Sequence, residues 1–157
     1  MKVFIEISKG SNIKYEYNKQ AKLLEVDRIL HSSMHYPQNY GYLPETLCED
    51  GDELDVLVFT ESLLPGTLVK CRPIGYIDMY DEKGRDEKLL CVALNDPKYY
   101  HVHDIKDINK NDIDQILDFF ENYKNLEKNK WVKIKGIYNS DKSFELIDTS
   151  KKKFLQK

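Results

Sequence analysis

The chain has 157 residues, with 24 Lys+Arg against 27 Asp+Glu and a net charge of −3, a length suited to one domain over residues 1–157 that buries about 70% of its unfolded surface. With 41% apolar and 32% charged residues, it reads as soluble and globular, not disordered. No apolar run approaches the ~20 residues of a membrane span, the start MKVFIEISKG lacks a secretory leader, and the charge balance argues against a nucleic-acid binder.

Residues 2–7 and 12–17 read as strands; in the second, Ile13, Tyr15 and Tyr17 alternate with Lys14 and Glu16. The run KLLEVDRIL resumes as a third strand, placing Leu24, Val26, Arg28 and Leu30 on one face, an odd row for an arginine. From His31 to Pro44 two prolines, a glycine and three tyrosines predict a loop. Short strands are expected at 54–59, at 67–79 with a bend at Pro73, at 89–94 and at 131–137. The segment NDPKYYHVHD reads as another loop. Ile113, Ile116, Leu117 and Phe120 recur at helical spacing and predict a helix over 112–127, capped by Asp112 with Gln115. A shorter C-terminal helix is expected after Ser140, ending in a solvated lysine run at 151–153. The whole is mainly β with flanking helices (α+β), a small antiparallel barrel with helices packed outside.

Cys48, Cys71 and Cys91 form no CxxC pair and fit no zinc spacing. They read as small buried hydrophobes in a reducing compartment, which places the protein in the cytoplasm.

The acids carry the chemistry. Asp50-Gly51-Asp52-Glu53-Leu54-Asp55 is weak as a motif by itself in so acidic a chain. Its position says more: Asp55 shares a strand face with Leu57 and Phe59, where a bare carboxylate is costly unless paired or bound to a cation. A second acidic turn carries Asp81, Glu82, Arg85 and Asp86 and leads to Lys88. If both turns meet at one rim, several carboxylates converge, and ligands of oxygen alone suit magnesium, manganese or calcium. An EF-hand loop counted from Asp50 fails, because Leu54 and Asp55 fall where a ligand and the turn glycine belong. Lys14, Arg28, Tyr36, Tyr40, Lys88, Tyr123 and Lys124 add donors, and acids together with cations suit a phosphoanhydride arriving with its metal. No Walker A or GxGxxG loop indicates a nucleotide.

Taken singly, these residues have plain structural readings. Lys14 and Glu16 could be a solvated cross-strand face, and Tyr36 and Tyr40 could simply pack a loop. Tyr123 could extend the helix's apolar face with Lys124 on its flank. Asp81 and Asp86 could form an exposed turn, and His101 and His103 read as exposed loop histidines.

Taken together, the runs IEISKGSNIKYEY, VDR, MHYPQNYGYLPETL, DGDELDVLV, PGTLVKCRPIGYIDMYDEKGRDEKLL and FFENYKNLEKNKWVKI resemble the soluble family I inorganic pyrophosphatases, from about Val3 to Ile137. The resemblance implies a five-stranded OB-like closed barrel and hydrolysis of pyrophosphate to two orthophosphates by a metal-activated water. It implies several Mg2+ per active site, with Mn2+ or Zn2+ as substitutes, and a homo-oligomer, commonly a hexamer. Position by position, Asp50, Asp55, Asp81 and Asp86 resemble metal ligands and Asp52 the general base. Lys14, Arg28, Tyr40, Tyr123 and Lys124 resemble phosphate-binding positions, and Glu6, Glu16, Tyr36 and Lys88 supporting ones. The chain departs from the family pattern at Ser8 and Glu53, where proline is usual. It also departs at Asp118, Asn122 and Asn125, which replace two histidines and an acid at positions that commonly lie at subunit contacts. Rival readings are an OB-type nucleic-acid module, a calcium-binding module without turnover, and activity on other phosphoanhydrides.

Overall fold

Strands rich in β-branched and aromatic residues close into a ring. The computed structural model describes residues 1–157. Its strands are β1 (Lys2–Ile7), β2 (Ile13–Asn18), β3 (Leu23–Ile29), β4 (Asn39–Leu43), β5 (Leu54–Phe59), β6 (Leu68–Asp81), β7 (Gly84–Arg85), β8 (Lys88–Ala93) and β9 (Val132–Asn139). Hydrogen bonds run β1-β4-β5-β8-β6, and β6 returns to β1, closing the five-stranded barrel. β7 and β9 extend β6, while β2 and β3 form a separate hairpin. All of these pairs are antiparallel except β5 with β8. No helix is long and apolar enough to cross a membrane.

Both faces of the ring are covered, so β5 and β8 read as nearly continuous apolar runs. On one face Leu57, Phe59, Leu90 and Val92 join Tyr36, Tyr40 and the inner side of helix α1 (Lys110–Asn122). On the other, Leu54, Val56, Val58, Leu89 and Cys91 join Val3, Ile5 and Ile147 of helix α2 (Ser140–Leu155). Phe119 and Phe120 of α1 are each 1% exposed, and burial of each contributes about 2–3 kcal/mol.

Several expectations need correcting. The helix expected over 112–127 starts at Lys110 under an Asn109 cap, whose side chain accepts from Asn111 N–H, and it ends at Asn122. α2 has 16 residues against 13 in α1, so the C-terminal helix is the longer one. The loop predicted from His31 to Pro44 contains β4. Gly41 makes that strand possible, since a Cβ there would lie 1.8 Å from the Phe4 carbonyl oxygen. β6 continues to Asp81, and its register shifts between Pro73 and Gly75, as the missing proline N–H requires. The NDPKYYHVHD segment holds a 3-10 turn at Pro97–Tyr99, with another following at Ile105–Asp107. A register shift sets Lys14 opposite Arg28 and Tyr15 opposite Val26, leaving Asp27 as the extra residue. Cross-strand partners share a face, so Arg28 joins Lys14 on one side and Val26 joins Tyr15 on the other, and Arg28 does not stand in an apolar row.

Candidate functional site

Strand parity aims the charged groups. In β5, Asp55 follows the alternation of Leu57 and Phe59 toward the face that carries α1. The parallel register sets Lys88 beside Asp55, and Lys88 shares its side with Leu90 and Val92. Just ahead of it, Arg85 and Glu87 turn away and pair with each other at 3.0 Å, Arg85 also meeting Asp78 at 3.1 Å. Asp86 and Lys88 turn inward and pair at 2.9 Å. A four-residue stretch thus sends two charges to each side.

The Asp50 loop is shaped by its own backbone. Gly51 has φ +90°, a conformation that favours glycine. Asp52 N–H donates to Asp50 Oδ1 at 3.0 Å, and Cys48 N–H donates to the Asp52 carbonyl at 2.8 Å. Thr46 Oγ1 accepts from Leu54 N–H at 2.9 Å and fixes the entry to β5.

The result is a cleft of about 160 Å³. It gathers Asp50, Asp52, Asp55, Asp81, Asp86, Glu6 and Glu16 with Lys14, Arg28, Tyr40, Lys88, Tyr123 and Lys124. Every expected site residue lines it except Tyr36. That ring is 2% exposed and packs on Tyr40 and Phe119, with centroids 5.3 and 4.7 Å away, so it braces the wall from behind. Tyr123 fills both of its readings: it stacks on Phe119 at 4.9 Å and still borders the cleft. Tyr15, Glu82, Lys83 and Lys130 also line the cleft. Asp27 and Glu127 stand behind it. None of the six was given a site role from the sequence, although Glu82 belongs to the acidic turn singled out there.

The ion pairs are dense. Lys88, 2% exposed, reaches Asp55 at 2.7 Å, Asp86 at 2.9 Å and the Tyr40 hydroxyl at 2.8 Å. Burial opposes its charge, but those carboxylates prevail and hold its pKa well above the ordinary lysine value. Lys124 lies 3.3 Å from Asp81. Lys14 bridges Glu16 at 2.8 Å and Asp27 at 3.3 Å. Arg28 meets Asp27 at 2.6 Å and Glu127 at 2.9 Å. Its Nε–H is not aimed at Glu127, and the aligned hydrogen bond there is Nη2 to Oε2 at 3.4 Å.

The acids are under electrostatic pressure. Burial, then Asp52 and Asp86, push the Asp50 carboxyl up against the pull of its hydrogen bond from Asp52 N–H. Burial, then Asp55 and Asp81, raise Asp86 despite Lys88. Burial carries Glu6 to about 7. Asp27 goes the other way: burial would raise it, but Lys14 and Arg28 lower it overall. No three acids stand close enough together to make a finished ligand set, and Lys88 fills the space between Asp55 and Asp86. The donor chemistry still fits a hard divalent cation, with oxygens alone and two raised carboxyls that a cation would relieve. All three cysteines are free, and Cys71 and Cys91 are buried.

The family model described as inorganic pyrophosphatase matches residues 3–155. An inorganic pyrophosphatase of Saccharolobus solfataricus is 55% identical over 137 residues, 85% of this chain and 80% of that protein. The solved inorganic pyrophosphatase of Helicobacter pylori superposes with a TM-score of 0.97 at 44% identity, covering 99% of this chain and 93% of the other. That of Thermus thermophilus gives 0.96 at 39% identity, covering 98% and 90%.

Proposed function

Because the chain belongs to the inorganic pyrophosphatase family and is a hydrolase of pyrophosphate, we propose that the acid-lined cleft is where this hydrolysis occurs, with magnesium as the metal. The observation that carries the reading is the meeting, in one small cleft, of two acidic loops with Lys14, Arg28, Lys124 and two tyrosines.

Asp50, Asp55, Asp81 and Asp86 would hold the cations, with manganese or zinc as substitutes. Bound there, a divalent cation polarises phosphoryl oxygens and makes water more acidic. Lys14, Arg28 and Lys124 bind the phosphate oxygens electrostatically, and the Tyr40 and Tyr123 hydroxyls donate to them. Burial holds both tyrosine pKa values above the ordinary one, so these hydroxyls keep their protons. Asp52 accepts the proton of the attacking water. Arg28, Tyr123 and Lys124 neutralise the phosphate that leaves, where negative charge grows. Lys88, pinned by two carboxylates and Tyr40, keeps Asp55 and Asp86 apart and aimed inward. Glu6, Glu16 and Tyr36 support this arrangement.

The protein is assigned to the cytoplasm on its three free cysteines, with no nucleic-acid or membrane partner. It is assigned to a homo-oligomer, a hexamer by family resemblance. Val26 and Ile29 support association, since the bulge at Asp27 puts both on one face of the β2–β3 hairpin, 58% and 49% exposed. At the end of α1, Asn122 donates to Asp118 and Asn125 donates to Asn122, so these polar groups are satisfied within the chain.

Phosphate release from pyrophosphate, with magnesium and with EDTA, tests the reading. Release should depend on magnesium and fall by about 10²- to 10⁴-fold in Asp52→Asn. Undiminished release by that variant would remove Asp52 from its role, and undiminished release in EDTA would remove the metal.

A further inference from the structure

Arg28 belongs to a hairpin that is no part of the barrel sheet, so its guanidinium moves with that hairpin unless the body of the protein holds it. Glu127, 99 residues away, provides the hold. Its Oε1 lies 2.9 Å from Arg28 Nε, and its Oε2 accepts from Nη2 at 3.4 Å. The Glu127 side chain is 4% exposed, against 16% for Arg28. The same Oε1 lies 3.3 Å from Lys130 Nζ. The backbone N–H of Glu127 donates to the Lys124 carbonyl at 2.9 Å, closing the turn that carries Lys124. Arg28, Lys124 and Lys130 all line the cleft, whereas Glu127 does not.

We infer that Glu127 is a positioning residue for pyrophosphate hydrolysis: it locks Arg28 of the hairpin to the segment after α1, so that one fork of the guanidinium faces the departing phosphate. The inference rests on the reading of Arg28 as a phosphate ligand. Asp27 cannot do this job, although it touches Arg28 at 2.6 Å. It is the next residue on the same strand and moves with the hairpin, and its side chain is 32% exposed, where ion pairs are screened. A buried carboxylate facing two cations is held far more firmly. Misplacing a catalytic contact by about 1 Å can cost about 10²-fold in rate.

The test is a double-mutant cycle on the full chain with magnesium pyrophosphate, using Arg28→Lys, Glu127→Gln and both together. Glu127→Gln keeps the shape and removes the charge. Its kcat should fall about tenfold or more with KM changed less than about threefold, because the contact acts where charge develops. In the Arg28→Lys background it should cost less than about twofold further. Glu127→Asp, which restores the charge, should recover part of kcat and keeps the test alive if the glutamine variant does not fold. A folded Glu127→Gln with normal kcat, or losses that multiply in the double variant, would overturn the inference while leaving Arg28 in its role. A harmless Arg28→Lys would overturn the reading of Arg28 and the inference together.

Discussion

Glu6→Gln should make the metal-free protein more stable, and by an amount that depends on pH. Glu6 lies on β1, its Oε2 accepting Tyr17 N–H at 2.8 Å. Burial raises its carboxyl from the ordinary 4.5 to about 7, Asp55 and Glu16 adding to the effect while the Tyr17 N–H and Lys14 oppose it. A folded-state pKa above the unfolded one means that the folded protein binds this proton more tightly. The ionised carboxylate therefore weakens the fold at alkaline pH, and the penalty disappears as pH falls toward the unfolded pKa. Between these two pKa values the penalty is about 3 kcal/mol at pH 8 and only about 1 kcal/mol at pH 5. Glutamine keeps an oxygen acceptor for Tyr17 and carries no charge. In EDTA, thermal melts should show Glu6→Gln gaining roughly 6–12 °C at pH 8 and roughly 2–4 °C at pH 5. Equal gains at the two pH values, or a loss at pH 8, would refute the placing of a strained charge at this position.

Asp55→Ala should weaken magnesium binding to the substrate-free protein by about tenfold or more by calorimetry, and Asp86 still pairs with Lys88 at 2.9 Å to keep the fold. Asp52→Asn should leave that affinity within about threefold; equal losses would refute the division between holding metal and accepting a proton. Gly41→Ala should destabilise by at least about 3 kcal/mol in urea unfolding, because its Cβ would meet the Phe4 carbonyl of β1. A loss under about 1 kcal/mol would mean that the two strands can part there at little cost.

The barrel strands and the inner face of α1 were legible because their signals are local: apolar runs, and Ile113, Ile116 and Phe120 at helical spacing. The start of α1 was less so, since Lys110 and Asn111 face solvent and carry no periodicity. β4 was hidden by the tyrosines and prolines around it, and by a glycine whose reason is a contact with β1 that no local pattern announces. In the site, most of the acids and cations that line the cleft were found by motif order and family resemblance, Glu82, Lys83 and Lys130 excepted. Glu127 and Asp27 were not, because a carboxylate in a polar stretch gives no sign that its partner lies 99 residues away or across a strand bulge. Lys130 is visible only once the turn after α1 is folded. Tyr36 illustrates the converse: it stands in the family-like motif, yet its ring supports the wall and does not face the cleft.

The outward–inward alternation from Arg85 to Lys88, continued along β8 and answered in β5, bears on how such a chain can change length. Inserting or deleting one residue between Asp86 and Lys88 would exchange the two faces beyond it, turning Lys88 into the apolar layer beneath and Leu89 into the cleft. Single substitutions leave that parity untouched. Residues 94–109, which belong to no strand, follow no such rule. Descendants of this chain should therefore vary in length there and keep a fixed count of residues from Asp81 to Ala93.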